Sequence, residues 1–313
     1  MFAWDEPPRP LRNSPAMKSL QIKIAGTVIA AVGDEHCPPL KVAPAHRAFL
    51  VDSAEAPQIT LNIHFGNLPD FNLGEAAFDA GANWSLYRQA ETWVLAMRVP
   101  GLGSEPHRLA VFQRDFTAGD LYDRAIPWLA DKDAGLPVRP VDPLRYPVDE
   151  FLMINYLARW RQGMILHACG LQDAGRGLVF CGVSGAGKST LAHLWHEAGV
   201  TVLSDDRLIV RPNGVGFTIH GTPWHGEAGF ALPASAPLTR LYLIQHASHN
   251  YVKPLTPGEA AARLLVRCFP PFYHRDGMTF IVNLLARLVT EVPCCELGFV
   301  PDASVIEFVR GLP

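Results

Sequence analysis

The sequence predicts an α/β fold in the second half of the chain, preceded by a β-rich region. Three observations support this prediction. A glycine-rich segment at residues 182–190 lies between a short apolar run and a segment with helical spacing. After residue 148, apolar runs and helical patterns alternate, as they do in α/β domains. Between residues 20 and 116, the period-two alternation that is typical of strands dominates.

The glycine-rich segment fits the pattern G-x-x-x-x-G-K-[ST], which is typical of loops that bind phosphate groups. Its residues are Gly182, Val183, Ser184, Gly185, Ala186, Gly187, Lys188, Ser189 and Thr190. Glycines allow successive backbone N–H groups to face a polyphosphate, and the following helix directs its positive N-terminal end at the same anion. Lys188 would neutralise the outer phosphates, and the Ser189 hydroxyl would bind magnesium. The motif therefore predicts ATP and Mg²⁺ as ligands.

The flanks of this motif have the pattern that the mechanism needs. Residues 178–181 are an apolar run preceded by glycine, as expected for a buried strand. The residues after the motif recur at helical spacing and stop at a glycine: Leu191, Leu194, Trp195, Ala198 and Gly199. The segment 178–199 is thus predicted to be a strand, a glycine-rich loop and a helix.

Composition divides the chain into four segments. Residues 1–17 are rich in proline and predict a loose N-terminal segment, which is followed by the β-rich region, residues 18–124. Residues 125–147 are again rich in proline and are predicted to be a linker. Residues 148–313 are predicted to form the α/β part.

Within the β-rich region, four segments are predicted strands of an antiparallel sheet: 20–24, 59–63, 93–99 and 109–112. After the linker, a helix is predicted over 148–160. Pro212, Asn213 and Gly214 predict a turn between strands at 208–210 and 215–219. Later helices are predicted from Thr256, with Glu259 completing a capping box, to about Cys268, and over 278–288 and 302–310.

Charge and hydropathy exclude several classes of function. Of the 313 residues, 49% are hydrophobic and 18% are charged, and the formal net charge is -3. Nucleic acid is therefore not expected as a partner. The sequence lacks a run of about 18 apolar residues and an N-terminal signal sequence, so we expect a cytoplasmic protein with no membrane partner. The six cysteines, none in a C-x-x-C pattern, are expected to be structural thiols.

Two adjacent acidic residues, Asp205 and Asp206, follow a strand predicted over 201–204. One helix and one strand separate them from Lys188, so we expect the pair at the end of the sheet beside the loop motif. Adjacent carboxylates at a strand end suit magnesium binding or proton abstraction.

His167 is a further candidate. It ends the apolar run 164–166, which we predict to be a strand next to the strand at 178–181. A lone histidine is more often structural than catalytic, so both interpretations stay open. Arg207, directly after the aspartates, is either a phosphate ligand or a surface charge.

The order of these residues resembles the core of the HPr kinase/phosphorylase family, in which a histidine, a phosphate loop and a V-A-D-D-R-like strand end occur at the same intervals. That family phosphorylates a serine of a small phosphocarrier protein, using magnesium and a nucleotide. The resemblance implies a P-loop kinase core of the HPr kinase type. It also implies that Asp206 is the catalytic base, that Lys188 and His167 take part in catalysis, and that Ser189 binds the metal.

The chain departs from the family pattern at two points. The family's loop continues G-K-S-E, whereas this chain has Thr190 in the last position. The family's metal-binding glutamate stands in E-I-R-G, where this chain has Thr218. Glu227 is the nearest replacement, so we expect Ser189, Asp205 and Glu227 at the magnesium site. The chain is more similar to divergent HPr-kinase-related proteins encoded beside peptide-modification genes, including kinases of lasso-peptide precursors.

From the motif and the resemblance, we expect an ATP-dependent phosphotransferase that moves the γ-phosphoryl group to a hydroxyl, a serine, of a peptide or small protein. A homo-oligomer is compatible with the sequence. Two other interpretations stay open. One is a P-loop ATPase or nucleotide switch that uses water as the acceptor. The other is a non-catalytic nucleotide-binding protein of a peptide-modification pathway.

Overall fold

The computed structural model describes residues 17–52, 54–81, 83–99, 103–124 and 140–312. Within these residues the chain is a mixed α/β protein with two large sheets, in agreement with the α/β class that the sequence predicts. The predicted N-terminal segment (1–17) lies outside the described residues except for Met17. The predicted linker (125–147) lies outside them up to residue 139.

The first sheet is formed by the predicted β-rich region and has eight strands. In chain order they are β1 (Ser19–Ile24), β2 (Thr27–Gly33), β3 (Ile59–Gly66), β4 (Ala76–Asp79), β5 (Trp84–Arg88), β6 (Thr92–Met97), β7 (Arg108–Gln113) and β8 (Ala118–Arg124). A 3-10 helix, Pro44–Phe49, lies between β2 and β3. The four predicted strand segments correspond to β1, β3, β6 and β7.

The first sheet is not purely antiparallel, so that part of the prediction is wrong. Its spatial order is β1-β2-β3-β8-β7-β6-β5-β4, and β3 is parallel to both of its neighbours. Parallel strands need a connection that returns the chain to the same end of the sheet. The segment that contains the 3-10 helix makes this connection between β2 and β3.

The second sheet also has eight strands. They are β9 (Met164–Asp173), β10 (Arg176–Cys181), β11 (Thr201–Ser204), β12 (Arg207–Pro212), β13 (Phe217–His220), β14 (Ser235–His246), β15 (Tyr251–Pro254) and β16 (Cys294–Phe299). β12 and β13 form the antiparallel hairpin that the turn at residues 212–214 predicts. β10 pairs with β9 on one side and with β14 on the other, so strands β9, β10, β12, β13 and β14 form a closed ring.

The predicted helices are all present in the structure. They are α1 (Val148–Arg159), α2 (Lys188–Glu197), α3 (Pro257–Leu265), α4 (Arg275–Glu291) and α5 (Ser304–Arg310). The capping box of Thr256 and Glu259 at the start of α3 is confirmed, although this helix ends at Leu265 and not near Cys268. No helix in the described part of the chain is long and apolar enough to span a bilayer.

Helices cover both faces of the second sheet around β10. Val179 lies in one hydrophobic cluster with residues of α3 and α4, such as Leu285. Phe180, which faces the opposite side, lies in another cluster with Trp195 of α2 and Val305 of α5. Successive side chains of a strand point to opposite faces, so a strand that is covered on both faces needs the uninterrupted apolar run that residues 178–181 show.

The first sheet packs against the second half of the chain through α1. Phe151 of α1 lies against Phe112 of β7, with 5.5 Å between the ring centroids. Arg211 of β12 donates a hydrogen bond to the carbonyl of Ala25, which follows β1. The two sheets are therefore joined by an apolar core and by polar contacts.

Truncation of a core residue in α4 tests this packing. Leu285 is 3% exposed, and we expect Leu285→Ala to lower the free energy of unfolding by about 2–5 kcal/mol because it leaves a cavity. Val282→Ala in the same helix is the control, since Val282 is 45% exposed. Denaturant titration measures both variants, and equal losses would contradict the packing of α4 described above.

Candidate functional site

The loop between β10 and α2, residues 182–187, is called the glycine loop below. Gly185 and Gly187 have φ values of 78° and 98°, which L side chains rarely adopt. A Cβ atom on Gly187 would also lie 2.6 Å from the Phe299 ring, and one on Gly182 would lie 2.7 Å from the Cβ of Ala186. Both the backbone conformation and the close packing therefore require glycine in this loop.

The N-terminus of α2 points its backbone N–H groups toward the glycine loop. Gly187, the N-cap residue, provides no side-chain hydrogen bond, and the first turn of α2 contains no acidic residue. The first N–H groups of a helix need a partner from outside the helix, and an anion is a favourable one. This end of α2 is therefore suited to bind an anion.

Lys188, the first residue of α2, is buried beneath the glycine loop. Its ammonium group donates hydrogen bonds to the carbonyls of Gly182 at 3.1 Å and Val183 at 3.4 Å. Burial lowers the pKa of Lys188, and the charge of Arg267 acts in the same direction, while the negative charge of Asp206 opposes the shift. Lys188 is thus held at the base of the loop, with Asp206 near enough to influence it.

Asp205 and Asp206 occupy a break between two strands that follow the same edge of β9. β11 pairs with residues 170–172 of β9, and β12 pairs with residues 164–167. The register shifts after Val202, and an irregularity of this kind redirects neighbouring side chains. The two aspartates consequently make contacts in different parts of the molecule.

Asp205 is 1% exposed and holds the segment that follows β13. Its Oδ1 accepts hydrogen bonds from the backbone N–H groups of Gly226 at 2.9 Å and Phe230 at 3.2 Å, and its Oδ2 accepts one from Ala228 at 2.9 Å. Both carboxylate oxygens therefore have backbone partners. The sequence placed Asp205 at a magnesium site, and the contacts described here are those of a loop anchor.

Asp206 lies between His167 and Arg207. Its Oδ1 is 2.9 Å from Nε2 of His167, and its Oδ2 is 2.9 Å from Nη1 of Arg207. Burial by itself would raise the pKa of Asp206, but the hydrogen bond from His167 and the charges of Arg207, His167 and Lys188 outweigh burial and lower it. Asp206 is therefore an ionised carboxylate with basic groups on several sides.

Two residues that contact Arg207 or His167 were not identified from the sequence. Glu150 of α1 lies 3.4 Å from Nε of Arg207. Burial raises the pKa of Glu150 to about 7. The charge of Arg207 opposes this shift, and the charges of Asp149 and Asp206 add to it. In the sequence, Glu150 has only the pattern of an acid in the first turn of a helix, so no local signal pointed to the site.

The second residue is Arg267, which follows α3. Its backbone carbonyl accepts a hydrogen bond from the N–H of His167 at 2.7 Å. Its Nε is buried without a hydrogen-bond partner in the described structure. A basic residue at the end of a helix is ordinary, so the sequence did not distinguish Arg267 from other surface cations.

The predicted metal ligands are not all gathered at one place. Ser189 is half-buried next to Lys188, whereas Glu227 is exposed in the segment that Asp205 anchors. No group of three or more His, Cys, Asp or Glu side chains is arranged to hold a metal within the residues that the structure describes. The magnesium set of Ser189, Asp205 and Glu227 thus stays a prediction.

A cavity of about 380 Å³ lies between the first sheet and the β13–β14 region. Lys23, Phe49, His220 and Ser235 are among its lining residues. Burial, together with the charge of Arg211, lowers the pKa of His220 to about 4, so this side chain is neutral at physiological pH. None of the predicted site residues lines the cavity, and the polar cluster around Asp206 is a separate feature.

Comparisons with known proteins give similarities to one family and to solved structures. Residues 148–268, less than half of the chain, match a family described as SynChlorMet cassette protein ScmC. No curated protein matches. Among solved structures, the Hpr(Ser) kinase/phosphatase from Coxiella burnetii matches with 13% sequence identity and a TM-score of 0.29, over 47% of this chain and 93% of that chain. Similarity at this level does not establish a function.

Replacement of Asp205 tests its role as a loop anchor. In Asp205→Asn, the amide NH₂ would face one of the three backbone N–H donors, which leaves a buried donor unpaired. We expect the free energy of unfolding to fall by about 1–3 kcal/mol. Asp70→Asn is the control because Asp70 is exposed. Unchanged stability of Asp205→Asn in denaturant titrations would show that these contacts do not hold the segment.

Proposed function

We propose that this protein is an ATP-dependent phosphotransferase that transfers the γ-phosphoryl group to a serine hydroxyl of a peptide or protein. The observation that carries the proposal is that the glycine loop starts beside the polar cluster: Cys181, the last residue before the loop, pairs with Ala168 of β9, and the neighbouring His167 lies 2.9 Å from Asp206. The charges of Lys188 and Asp206 each oppose the effect of burial on the pKa of the other group. A phosphate-binding cation and a carboxylate base are the two groups that such a transfer needs on either side of the transferred group.

The glycine loop and the start of α2 supply the phosphate-binding part of the proposed site. Backbone N–H groups at the N-terminus of α2 would bind the phosphate oxygens, and Lys188 would exchange its carbonyl partners for the outer phosphates. Arg267, whose charge reaches Lys188, would add a second cation. Positive groups that are fixed before the reaction stabilise the charge that develops on the transferred phosphoryl group.

Asp206 would accept the proton of the acceptor hydroxyl. A carboxylate oxygen can accept more than one hydrogen bond, so the contacts with His167 and Arg207 leave room for the acceptor. His167 and Arg207 would hold the carboxylate in a single orientation. Asp206 is partly exposed, at 21% of its side chain, which allows a peptide to reach it.

In this proposal magnesium binds beside the glycine loop, where the described residues bring together no cluster of three acidic, histidine or cysteine ligands. Ser189 follows Lys188 directly, and its hydroxyl is a suitable ligand together with phosphate oxygens and water. Glu227 is the proposed carboxylate ligand. Asp205 is a less favourable magnesium ligand than Glu227, because both of its oxygens already accept backbone hydrogen bonds. The metal would neutralise phosphate charge when it is bound.

Incubation of the protein with γ-labelled ATP and candidate peptides, followed by mass spectrometry, tests this proposal. The expected result is a phosphorylated serine on a peptide and ADP formation that depends on that peptide. ADP formation at the same rate without any peptide would instead indicate an ATPase that uses water. Absence of both ATP binding and ADP formation would exclude the proposed reaction.

Removal of the loop cation tests the phosphate-binding part. We expect Lys188→Ala to weaken ATP binding by at least about tenfold, since a hydrogen bond to a charged group contributes about 1.5–3 kcal/mol. Lys253→Ala is the matched control because Lys253 is exposed on β15. Calorimetric titration with ATP and magnesium measures both. Equal affinity and turnover in the two variants would rule out a phosphate-binding role for Lys188.

Removal of the proposed base tests the transfer step. We expect Asp206→Asn to retain ATP affinity and to lose transfer by a factor of about 10²–10⁴, the usual contribution of a general base. Acceptor phosphorylation at saturating ATP measures the loss, with Asp70→Asn as the control. If Asp206→Asn transferred phosphate at the wild-type rate, Asp206 would not be the base.

A further inference from the structure

Two buried acids at the start of α1, Asp149 and Glu150, connect three parts of the molecule. Asp149 is 1% exposed. Its Oδ2 accepts hydrogen bonds from Nε1 of Trp224 at 2.6 Å and from Nε2 of His46 at 2.9 Å. His46 belongs to the 3-10 helix after β2, and Trp224 to the segment after β13. The start of α1 is therefore fixed to the first sheet and to the second sheet at once.

Glu150 extends this connection toward the proposed base. The backbone N–H of Glu150 donates to Oδ1 of Asp149 at 2.8 Å, which fixes the position of Glu150. Its side chain, 11% exposed, lies 3.4 Å from Nε of Arg207. From the other end of its guanidinium group, Arg207 contacts Asp206 at 2.9 Å. The three ionisable side chains thus form a row, Glu150–Arg207–Asp206.

Arg207 has further contacts, but none of them involves its Nε atom, which faces Glu150. The guanidinium lies over the ring of Phe269, 5.1 Å from the ring centroid. The backbone carbonyl of Arg207 accepts a hydrogen bond from the hydroxyl of Thr222 at 2.6 Å. Nε itself has no hydrogen-bond partner among the described residues, because the contact with Glu150 lacks hydrogen-bond geometry. The carboxyl group of Glu150 therefore faces this part of the guanidinium group, and it carries a negative charge above its pKa of about 7.

We propose that Glu150 is a positioning residue for phosphoryl transfer, which holds Arg207 so that Arg207 orients the carboxylate of Asp206. This inference rests on the proposed function of Asp206 as the base. Without the Glu150 carboxylate, the guanidinium loses its acidic neighbour at Nε and can turn toward solvent, which frees one oxygen of Asp206. Since His46 and Trp224 fix the same helix start, the first sheet becomes part of the support of the catalytic site.

Kinetics of Glu150→Gln test this role in the 313-residue chain. Above pH 7, where Glu150 is ionised, Gln has nearly the same shape without the charge. We therefore expect kcat for transfer to fall by about tenfold to a hundredfold there, as misplaced catalytic groups do, while KM for ATP stays unchanged. The double variant Glu150→Gln, Arg207→Lys should be no slower than Arg207→Lys alone, because both changes act through one contact.

Asp173→Asn is the matched control. Asp173 is also a buried carboxylate paired with an arginine, at 2.8 Å from Arg310, but it lies at the far end of β9. We expect its kcat to equal that of the wild type. An equal loss of kcat in Asp173→Asn and Glu150→Gln, or additive effects in the double variant, would overturn the positioning role.

Crystal structures of the same variants test the positioning role independently of any activity measurement. We expect the distance between Nη1 of Arg207 and Oδ2 of Asp206 to exceed about 4 Å, the limit of an ion pair, in Glu150→Gln but not in Asp173→Asn. A retained contact in Glu150→Gln would overturn the inference. If the wild-type protein shows no turnover, the proposed function is wrong, and the crystal structures alone decide whether Glu150 positions Arg207.

Discussion

Most contacts of the candidate site depend on the break between β11 and β12. A regular strand along the edge of β9 would place residues 205 and 206 in the ladder, with side chains above and below the sheet. The register of β11 is instead irregular, and the two side chains point to different places, although the carbonyl of Asp206 still accepts a hydrogen bond from the N–H of Ala168 in β9. Asp205 is buried against three backbone N–H groups, and Asp206 lies beside His167. Two residues of the same type in adjacent positions thus acquire different environments, and Asp206 forms ion pairs with His167 and Arg207.

The charges around Asp206 determine what this carboxylate can do. Burial disfavours the ionised form, as it does for any acid. Three basic groups, His167, Lys188 and Arg207, reverse that effect and lower the pKa of Asp206. An ionised carboxylate beside a buried lysine is a suitable arrangement for taking a proton close to a bound phosphate. The same positive charges that would hold the phosphate also keep the base ionised, so binding and proton transfer would depend on one electrostatic environment.

The first sheet has a structural connection to this environment. Its core is continuous with α1, where Phe151 packs against Phe112, and its 3-10 helix contributes His46 to the carboxylate of Asp149. Removal of one partner from a buried carboxylate lowers the stability of the fold. These contacts therefore oppose separation of the first sheet from the start of α1. The β-rich region and the α/β region are thus not independent in the described structure.

The sequence by itself determined the features that depend on local pattern. Period-two alternation identified β1 and β3, the capping residues located the start of α3, and the glycines between an apolar run and a helical pattern located the glycine loop. These features depend on neighbouring residues, so they can be read along the chain. The sequence also identified His167, Lys188 and Asp206 as candidates, and the fold brings His167 and Asp206 into contact at 2.9 Å.

Only the tertiary structure decided which distant segments meet. β14 pairs in parallel with both β10 and β16 and lies at the centre of the second sheet. It was not predicted, and Pro237 in its first half is a residue that argues against a central strand. The separate contacts of Asp205 and Asp206, and the contact of Glu150 with Arg207, follow from the packing of strands and a helix that are remote in sequence. Local patterns carry no information about such pairings, since the side chains involved have no common periodicity along the chain.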